Sequence, residues 1–292
     1  MPPSHTTSHW SFVKKLDASG YFAKDISVVK NTVTGKLAVR KQFKFPANTN
    51  AHEFSIMKRL SGHPNIVEAY EFVRGDTTGA HDELYMQYCK VHCKPEDIST
   101  LHQLGDYYKT VDLPEAFAWS LLIDAMSGIV FIRFGIRDVT VSDQPVEDWE
   151  PIYHNDLHSS NIFLSDAAID LASQYPRLLI GDWGEAETRT EREVLQLADS
   201  TDNPNIPRKN DMLSLKELVA YLEYRKAGAD ASMLGDNQGL KYSEDLFNML
   251  QRLKCLNNDS PEMIGFLKDL RAMYEGNLAS GKLKFVPFTG NV

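Results

Sequence analysis

The sequence predicts an α+β protein in which a small strand-rich part is followed by a larger, mainly helical part. The first part, about residues 10–90, consists of short β-rich runs separated by Asn and Gly. The second part, about residues 91–292, contains long runs whose apolar residues recur at helical spacing. Because no repeat or long linker divides the 292 residues, we interpret them as a single domain with two lobes.

The strand-rich part contains four predicted strands and one predicted helix. The helix begins after Asn48, Thr49 and Asn50, residue types that favour helix N-termini, and covers about residues 51–60. The strands are bounded by turn residues and cover about residues 26–30, 36–43, 66–73 and 84–88.

The helical part contains four predicted helices, at about residues 114–134, 211–225, 243–256 and 261–273. The most apolar stretch of the chain falls in the first of them and contains Asp124 and Arg133. These two charges indicate a buried core helix and not a membrane span. A compact β-rich segment, about residues 152–183, lies between the first two helices and is dense in His, Asn and Asp.

Charge balance and cysteine content restrict the location and the partners. The 31 Lys and Arg against 40 Asp and Glu give a formal net charge of −9, which disfavours nucleic-acid binding. Three cysteines (Cys89, Cys93 and Cys255) imply no disulfide framework and no zinc site. The N-terminus lacks the basic and apolar regions of a secretory signal. We therefore expect a monomeric cytoplasmic protein, with a nuclear location also compatible, and no membrane partner.

Two polar motifs in the β-rich segment carry the residue types that metal-assisted chemistry needs. In the loop 154–161, Asp156 and Asn161 precede an apolar strand, so a carboxylate and an amide can converge on one site. Further on, a buried strand ends at Asp182, which Trp183 and a glycine follow. Carboxylate and amide oxygens suit a hard cation such as Mg²⁺ bound to phosphate.

Together, these motifs resemble the catalytic loop and the metal-binding motif of the protein kinase superfamily. The segment 148–153 is especially similar to serine/threonine-type protein kinases of fungi, and the resemblance covers about residues 12–270. It implies a bilobal protein kinase-like fold and transfer of the γ-phosphoryl group of ATP to a Ser/Thr hydroxyl, with ATP and Mg²⁺ as cofactors. It also implies that Asp156 is the catalytic base and that Asn161 and Asp182 ligate Mg²⁺.

Two adjacent bases, Arg40 and Lys41, are candidates for the residue that binds the α- and β-phosphates in this family. Side chains alternate between the faces of a strand, and Arg40 shares its face with Gln42 and Lys44. A lysine on an apolar face needs a partner, so we assign the role to Lys41. The apolar residues expected on the face of Lys41 are Leu37, Val39 and Phe43.

Glu53 is the predicted partner of Lys41. With Met57 and Leu60 it forms one face of the predicted helix, so its carboxylate is expected where this helix packs. An alternative is that Asn50 and Glu53 form a capping box, in which Glu53 only caps its own helix.

The resemblance also implies residues that contact the nucleotide. Gly20 is the central glycine of a degraded phosphate-covering loop at residues 18–23. Met86, Tyr88 and Cys89 follow the pattern of the hinge, where backbone groups bind adenine. Met86 is equally natural as a strand residue of the core.

Several residues depart from the pattern of the family. Asn155 replaces the arginine that clamps a phosphorylated segment, which predicts that activity is independent of phosphorylation between residues 183 and 209. Arg189 and Arg192 in that segment are expected to pair only locally. His158 replaces a lysine near the transferred phosphoryl group and donates a hydrogen bond in its place. Asp211 is expected to be buried and to support the catalytic loop.

These departures leave three functions open. The main prediction is a protein kinase-like phosphotransferase acting on a protein hydroxyl. His158 and Trp183 also resemble aminoglycoside and choline phosphotransferases, which predicts a small-molecule acceptor as the alternative. A nucleotide-binding pseudokinase scaffold is the third possibility.

Overall fold

The computed structural model describes two compact units, and they confirm the mixed α+β class. One unit comprises residues 1–62 with 67–88, and the other comprises residues 63–66 with 89–292. The first carries an antiparallel sheet and the second is mainly helical. The residues described are 9–16, 23–44, 48–75, 81–90, 99–103, 114–165, 175–199 (backbone alone for 195–199), 211, 215, 242–257 and 259–285.

The described residues of the first unit form a five-stranded antiparallel sheet and one helix. The strands are β1 (Trp10–Lys15), β2 (Ala23–Asn31), β3 (Leu37–Phe43), β4 (Ala69–Val73) and β5 (Glu83–Gln87). Their order in the sheet is β1-β2-β3-β5-β4. The helix, α1, lies between β3 and β4 in the chain; it covers Asn48–Arg59 and so begins earlier than the sequence predicted.

Two features of this sheet differ from the prediction. The strand β1 was not predicted from the sequence, because an edge strand that is largely exposed lacks an apolar alternation. The predicted strand 66–73 begins only at Ala69, because Ile66 belongs to the second unit and forms a bridge there with Ile180.

The predicted alternation along β3 is correct only at its C-terminal end. Lys41 and Phe43 are buried as expected, but Leu37 is 41% exposed. Ala38, on the opposite face, is fully buried with Val29 and Tyr85. The partly buried rings of Trp10 and Tyr70, with Val73, pack against that cluster, so the sheet buries residues on both faces there.

The second unit is organised around the helix α2 (Glu115–Phe134), which is buried along most of its length, as predicted. By length and composition alone this helix could cross a membrane, a test that buried core helices also pass. It ends at Gly135, whose φ of +73° and contact with the Trp149 ring leave no room for a side chain.

Two further helices of the second unit follow the prediction closely. They are α4 (Glu244–Cys255), capped by Ser243, and α5 (Glu262–Ala279), which continues beyond its predicted end. The predicted helix 211–225 lies mostly outside the described residues, although Asp211 and Leu215 are helical.

Two short antiparallel pairs of strands hold the polar motifs. The strand β6 (Ile152–Tyr153) precedes the motifs and pairs with β9 (Glu187–Thr188), which follows them. The strands β7 (Ile162–Ser165) and β8 (Arg177–Ile180) lie between the motifs in the chain and pair with each other. A helix that the sequence analysis missed, α3 (Arg189–Asp199), continues directly from β9.

Candidate functional site

The pairing of β7 with β8 brings the two polar motifs together. Ile162 lies opposite Ile180, so the residues just outside the pair, Asn161 and Gly181, are also neighbours. The Gly181 N–H donates a hydrogen bond to the Asn161 carbonyl oxygen (3.0 Å). Asp182 follows Gly181 in the chain, so only one residue separates it from direct contact with Asn161.

Asn161 also holds Asp156. Its Nδ2 donates to the carbonyl oxygen of Asp156 (2.8 Å) and to the Oδ2 of the same residue (3.1 Å). Because the amide nitrogen makes both contacts, Oδ1 keeps its lone pairs, and it accepts no hydrogen bond from the described part of the chain. Asn161 is buried, whereas the Asp156 side chain is 24% exposed and can be reached by a small hydroxyl group.

His158 lies beside the same carboxylate. Its Nδ1 accepts a hydrogen bond from Ser160 N–H (3.2 Å), so in the neutral ring Nε2 carries the proton. Nε2 is 3.5 Å from Asp156 Oδ2, and the His158 side chain is half exposed. The ring can therefore present a hydrogen-bond donor next to Asp156.

His154 has a structural role in the loop. It is fully buried and tilts against the Trp183 ring, with 4.6 Å between ring centroids. Nδ1 accepts from Asp156 N–H (3.3 Å), and Nε2 donates to the Gly181 carbonyl oxygen (3.0 Å). Burial lowers its pKa, although Asp211 and the Gly181 carbonyl act in the opposite direction. A neutral His154 thus connects both motifs.

Asp211 supports the backbone at the start of the loop, as predicted. Its two oxygens accept hydrogen bonds from His154 N–H and Asn155 N–H, each 2.9 Å long. Arg133 of α2 forms an ion pair with it (2.8 Å), and each side chain is 1% exposed. Arg133 also donates to the Ile152 carbonyl oxygen. This role of Arg133 was not predicted, although an arginine in the most apolar helix was a signal for a buried partner.

Left-handed backbone occurs in both motifs. Asn155 has a φ of 63° and Asp182 a φ of 62°; with Asp148, they are the non-glycine residues of the described chain with positive φ. Asn and Asp tolerate this region better than most residues, but it still costs free energy. Such strain persists only where the surroundings fix the backbone, and it accumulates at functional sites.

The first unit contains the ion pair that the sequence predicted. Lys41 Nζ lies 2.9 Å and 3.0 Å from the two carboxylate oxygens of Glu53, and both side chains are buried. The capping-box alternative is wrong, because α1 begins at Asn48 and not after Asn50. Instead, Asn50 donates a hydrogen bond to Asp82 Oδ2 (2.9 Å), a contact distant in sequence.

Arg40 differs from its neighbour in the way the sequence predicted. Its side chain is 24% exposed and forms ion pairs with Asp25 (3.4 Å) and Glu83 (3.5 Å). Of the two adjacent bases, Lys41 is therefore the buried one and Arg40 belongs to a more accessible charged cluster.

Three of the other four residues predicted to contact the nucleotide lie within the described parts of the chain. Gly20 lies outside the described residues. Met86 pairs with Val39 at the end of β5 and is partly buried, as is Tyr88. Cys89 is buried, and burial raises the pKa of its thiol to about 12, so it is not a nucleophile.

The candidate metal ligands, Asn161 and Asp182, are fewer than a preformed metal centre needs. In the described parts of the chain, no group of three or more His, Cys, Asp or Glu side chains is arranged to hold a metal ion. Asn161 and Asp182 supply one amide and one carboxylate. This oxygen set fits Mg²⁺, which usually takes few protein ligands and completes its shell with water and phosphate oxygens.

No protein-family model matches this chain, and no curated protein matches it.

Asp124 of α2 is a carboxylate that supports the strand leading to Asp182. Its Oδ2 accepts a hydrogen bond from Leu178 N–H in β8 (2.9 Å). Burial raises the pKa of Asp124 to about 6, although this hydrogen bond and one from Asn65 lower it. Asn65 also donates to the Leu178 carbonyl oxygen, so the three residues fix β8 against α2.

The contribution of Asp124 to stability should decrease as the pH rises. Its folded pKa of about 6 lies above the unfolded value of 3.8, so the folded state binds more protons between these values. The stabilisation is therefore full below the unfolded pKa and is lost as the pH rises through the folded pKa. Two pKa units correspond to about 3 kcal/mol, an upper value because Asp124 keeps some solvent access. Between about pH 4 and pH 8, urea denaturation should show the wild type losing about 1–3 kcal/mol relative to Asp124→Asn.

The stability of the wild type has to be compared with that of Asp124→Asn, because His63 changes the stability with pH in the opposite direction. Burial lowers the pKa of His63 to about 3, so this residue makes the protein more stable as the pH rises. Asp143→Asn is the control: Asp143 is exposed, and a hydrogen bond from Lys268 lowers its pKa, so any effect should have the opposite sign. A pH-independent difference between the wild type and Asp124→Asn would contradict the prediction.

Proposed function

We propose that this protein is a protein kinase-like phosphotransferase that moves the γ-phosphoryl group of ATP to a Ser/Thr hydroxyl. The arrangement of Asp156, Asn161 and Asp182 carries the proposal. Asn161 holds Asp156 through its amide nitrogen, leaves its amide oxygen available, and lies beside the turn that contains Asp182. An acid that can orient a hydroxyl and two oxygen ligands for Mg²⁺ are what this reaction requires.

Lys41 and Glu53 supply the second part of the proposal. A buried ion pair is weak evidence for stability, because removing two charges from water can cost more free energy than their attraction returns. The buried pair in the first unit therefore supports a functional role. In the proposed function, Lys41 binds the α- and β-phosphates of ATP and Glu53 orients its ammonium group. Gly20, Met86, Tyr88 and Cys89 are proposed to contact the nucleotide.

The chemistry assigns one task to each polar residue of the loop. Asp156 accepts the proton of the acceptor hydroxyl or orients it. His158, whose Nε2–H faces Asp156, donates a hydrogen bond near the reacting oxygens. Mg²⁺ held by Asn161 and Asp182 would neutralise the charge of the phosphates.

This proposal extends to the architecture and the setting of the protein. We propose a bilobal kinase-like fold formed by one domain over the whole chain, and a monomer located in the cytoplasm or the nucleus.

Trp183, fully buried against His154, is the observation that favours the small-molecule alternative, because aminoglycoside and choline phosphotransferases often carry Asp-Trp at this position. A nucleotide-binding scaffold without turnover remains the third candidate.

Nucleotide binding should depend on Lys41 and not on Arg40. We expect Lys41→Met to weaken ATP binding by about 10- to 100-fold, since a buried charged hydrogen bond to phosphate is lost, and Arg40→Met to change it by less than about twofold. Calorimetric titration with ATP and Mg²⁺ measures both. The double variant Lys41→Met/Glu53→Gln removes the unpaired buried carboxylate and so separates lost binding from lost folding. Equal losses from Lys41→Met and Arg40→Met would show that the assignment is wrong.

The same titration without Mg²⁺ tests the metal ligands. Mg²⁺ should strengthen ATP binding in the wild type, and this increment should be lost in Asn161→Ala and in Asp182→Ala. If Mg²⁺ adds nothing in the wild type, the metal assignment fails and the scaffold alternative is favoured.

A further inference from the structure

The side chain of Asn155 is fixed at both ends by the segment that follows the second motif. Its Nδ2 donates to the Glu185 carbonyl oxygen (3.0 Å), and its Oδ1 accepts a hydrogen bond from Arg192 of α3. The prediction that Arg192 pairs only within its own segment is wrong, because the guanidinium reaches the loop of Asp156.

Arg192 is itself held rigidly. Its Nε donates to Glu187 Oε1 (2.6 Å), and its guanidinium lies 3.5 Å from the centroid of the Tyr153 ring. Its side chain is only 14% exposed, and that of Glu187 is 13% exposed. Shielded from water, the contacts of Arg192 are stronger and less variable than those of a surface arginine.

The N-terminus of α3 is fixed to the strand that precedes the loop. Thr188 and Glu191 form a capping box, with hydrogen bonds of 2.7 and 3.2 Å between each backbone N–H and the opposite side chain. Glu150 accepts a hydrogen bond from Thr190 N–H (3.3 Å), and the Pro151 carbonyl oxygen accepts one from Arg189 N–H (2.9 Å). Arg192, one helical turn further on, is therefore presented in a defined position.

Asn155 links Arg192 to the adjacent residue, Asp156. The left-handed backbone of Asn155, with φ of 63°, sets the direction in which the chain enters Asp156. Its N–H is bound by Asp211, and its side chain is bound by Glu185 and Arg192, so the surroundings stabilise an otherwise unfavourable conformation.

We propose that Arg192 is a positioning residue for Asp156 that acts through the side chain of Asn155. The docked helix α3 thereby supplies, from within the chain, the cation that holds the loop in place, and no phosphorylated residue is needed. The inference rests on the proposed function for the role of Asp156, whereas the coupling of Arg192 to the loop is independent of it.

A double-mutant cycle tests the coupling. Asn155→Gly removes the side chain but tolerates positive φ, and Arg192→Gln removes the cation. We expect each to lower kcat by about tenfold with the KM for ATP nearly unchanged, and the double variant to lose no more than either single variant. Arg192→Lys should restore part of kcat, because a lysine can still donate to Asn155. Full additivity, or an unchanged kcat in Arg192→Gln, would overturn the proposal.

Hydrogen exchange gives a readout that does not require activity. Amides of residues 152–161 should exchange faster in Asn155→Gly and in Arg192→Gln, again without additivity. Arg252→Gln, which breaks an exposed ion pair with Asp269, is the matched control and should leave this peptide unchanged. Unchanged exchange in Arg192→Gln overturns the proposal. Coupled exchange in a protein that transfers no phosphoryl group supports the coupling and rejects the proposed function.

Discussion

Replacing Asp156 by Ala should lower phosphoryl transfer by about 10²- to 10⁴-fold and leave the binding of ATP with Mg²⁺ largely intact. The carboxylate is held by Asn161 Nδ2 and faces His158, and it is accessible enough to meet an acceptor hydroxyl. Its loss removes the group that accepts or orients the proton, but none of the groups proposed to bind the nucleotide. Transfer of labelled phosphate from ATP measures the first effect, and calorimetric titration measures the second.

Two further variants sharpen the result. Asp156→Asn keeps the shape of the side chain without its charge, and it should be nearly as inactive as Asp156→Ala. Ser160→Ala changes an exposed residue on the same loop, whose backbone contact with His158 is retained, and should alter transfer by less than about twofold. More than a tenth of the wild-type rate in Asp156→Ala would contradict the assignment of Asp156.

The acceptor that becomes labelled discriminates among the candidate functions. Label on a generic protein substrate supports the serine/threonine-type activity, and label on small aminoalcohols supports the small-molecule kinase. Binding of ATP without transfer to either class favours the scaffold.

Features that depend on local periodicity were predictable from the sequence. The burial of Lys41 follows from alternation along a strand, and the direction of Glu53 follows from helical spacing. Their ion pair could be inferred because each charged side chain lies on an otherwise apolar face, of a strand for Lys41 and of a helix for Glu53, and therefore needs a partner. Even here the prediction failed at Leu37, because the sheet buries Ala38 on its other face, which a single strand does not reveal.

Features that depend on contacts between distant residues were not predictable in the same way. Arg133 and Asp211 are 78 positions apart, and Asn155 and Arg192 are 37 apart, so no periodicity links them. The helix α3 is a different case, since Thr188 and Glu191 have the spacing of a capping box and could have indicated its start. The edge strand β1 lacked a pattern because its residues are mostly exposed.

Breaking the buried ion pair of Arg133 should destabilise the second unit severely. Arg133→Met leaves the Asp211 carboxylate buried without this cation, whereas its hydrogen bonds from the backbone N–H groups of His154 and Asn155 are retained. The change also removes the hydrogen bond to Ile152 and the stacking of the guanidinium on the Tyr153 ring, 3.9 Å from its centroid. Removing one partner of a buried pair typically costs about 3–5 kcal/mol in the free energy of unfolding, and urea denaturation should show a loss of this size.

Arg252→Met provides the matched control, because Arg252 forms an exposed ion pair with Asp269 at 2.7 Å. The loss there should be at most about 1 kcal/mol, since water already screens both charges. Adding Asp211→Asn to Arg133→Met removes the unpaired charge and should recover part of the stability, but not all of it, because the amide nitrogen cannot accept one of the two backbone N–H groups that the carboxylate binds. A loss below about 1 kcal/mol in Arg133→Met would mean that the charge of Asp211 is not what Arg133 stabilises.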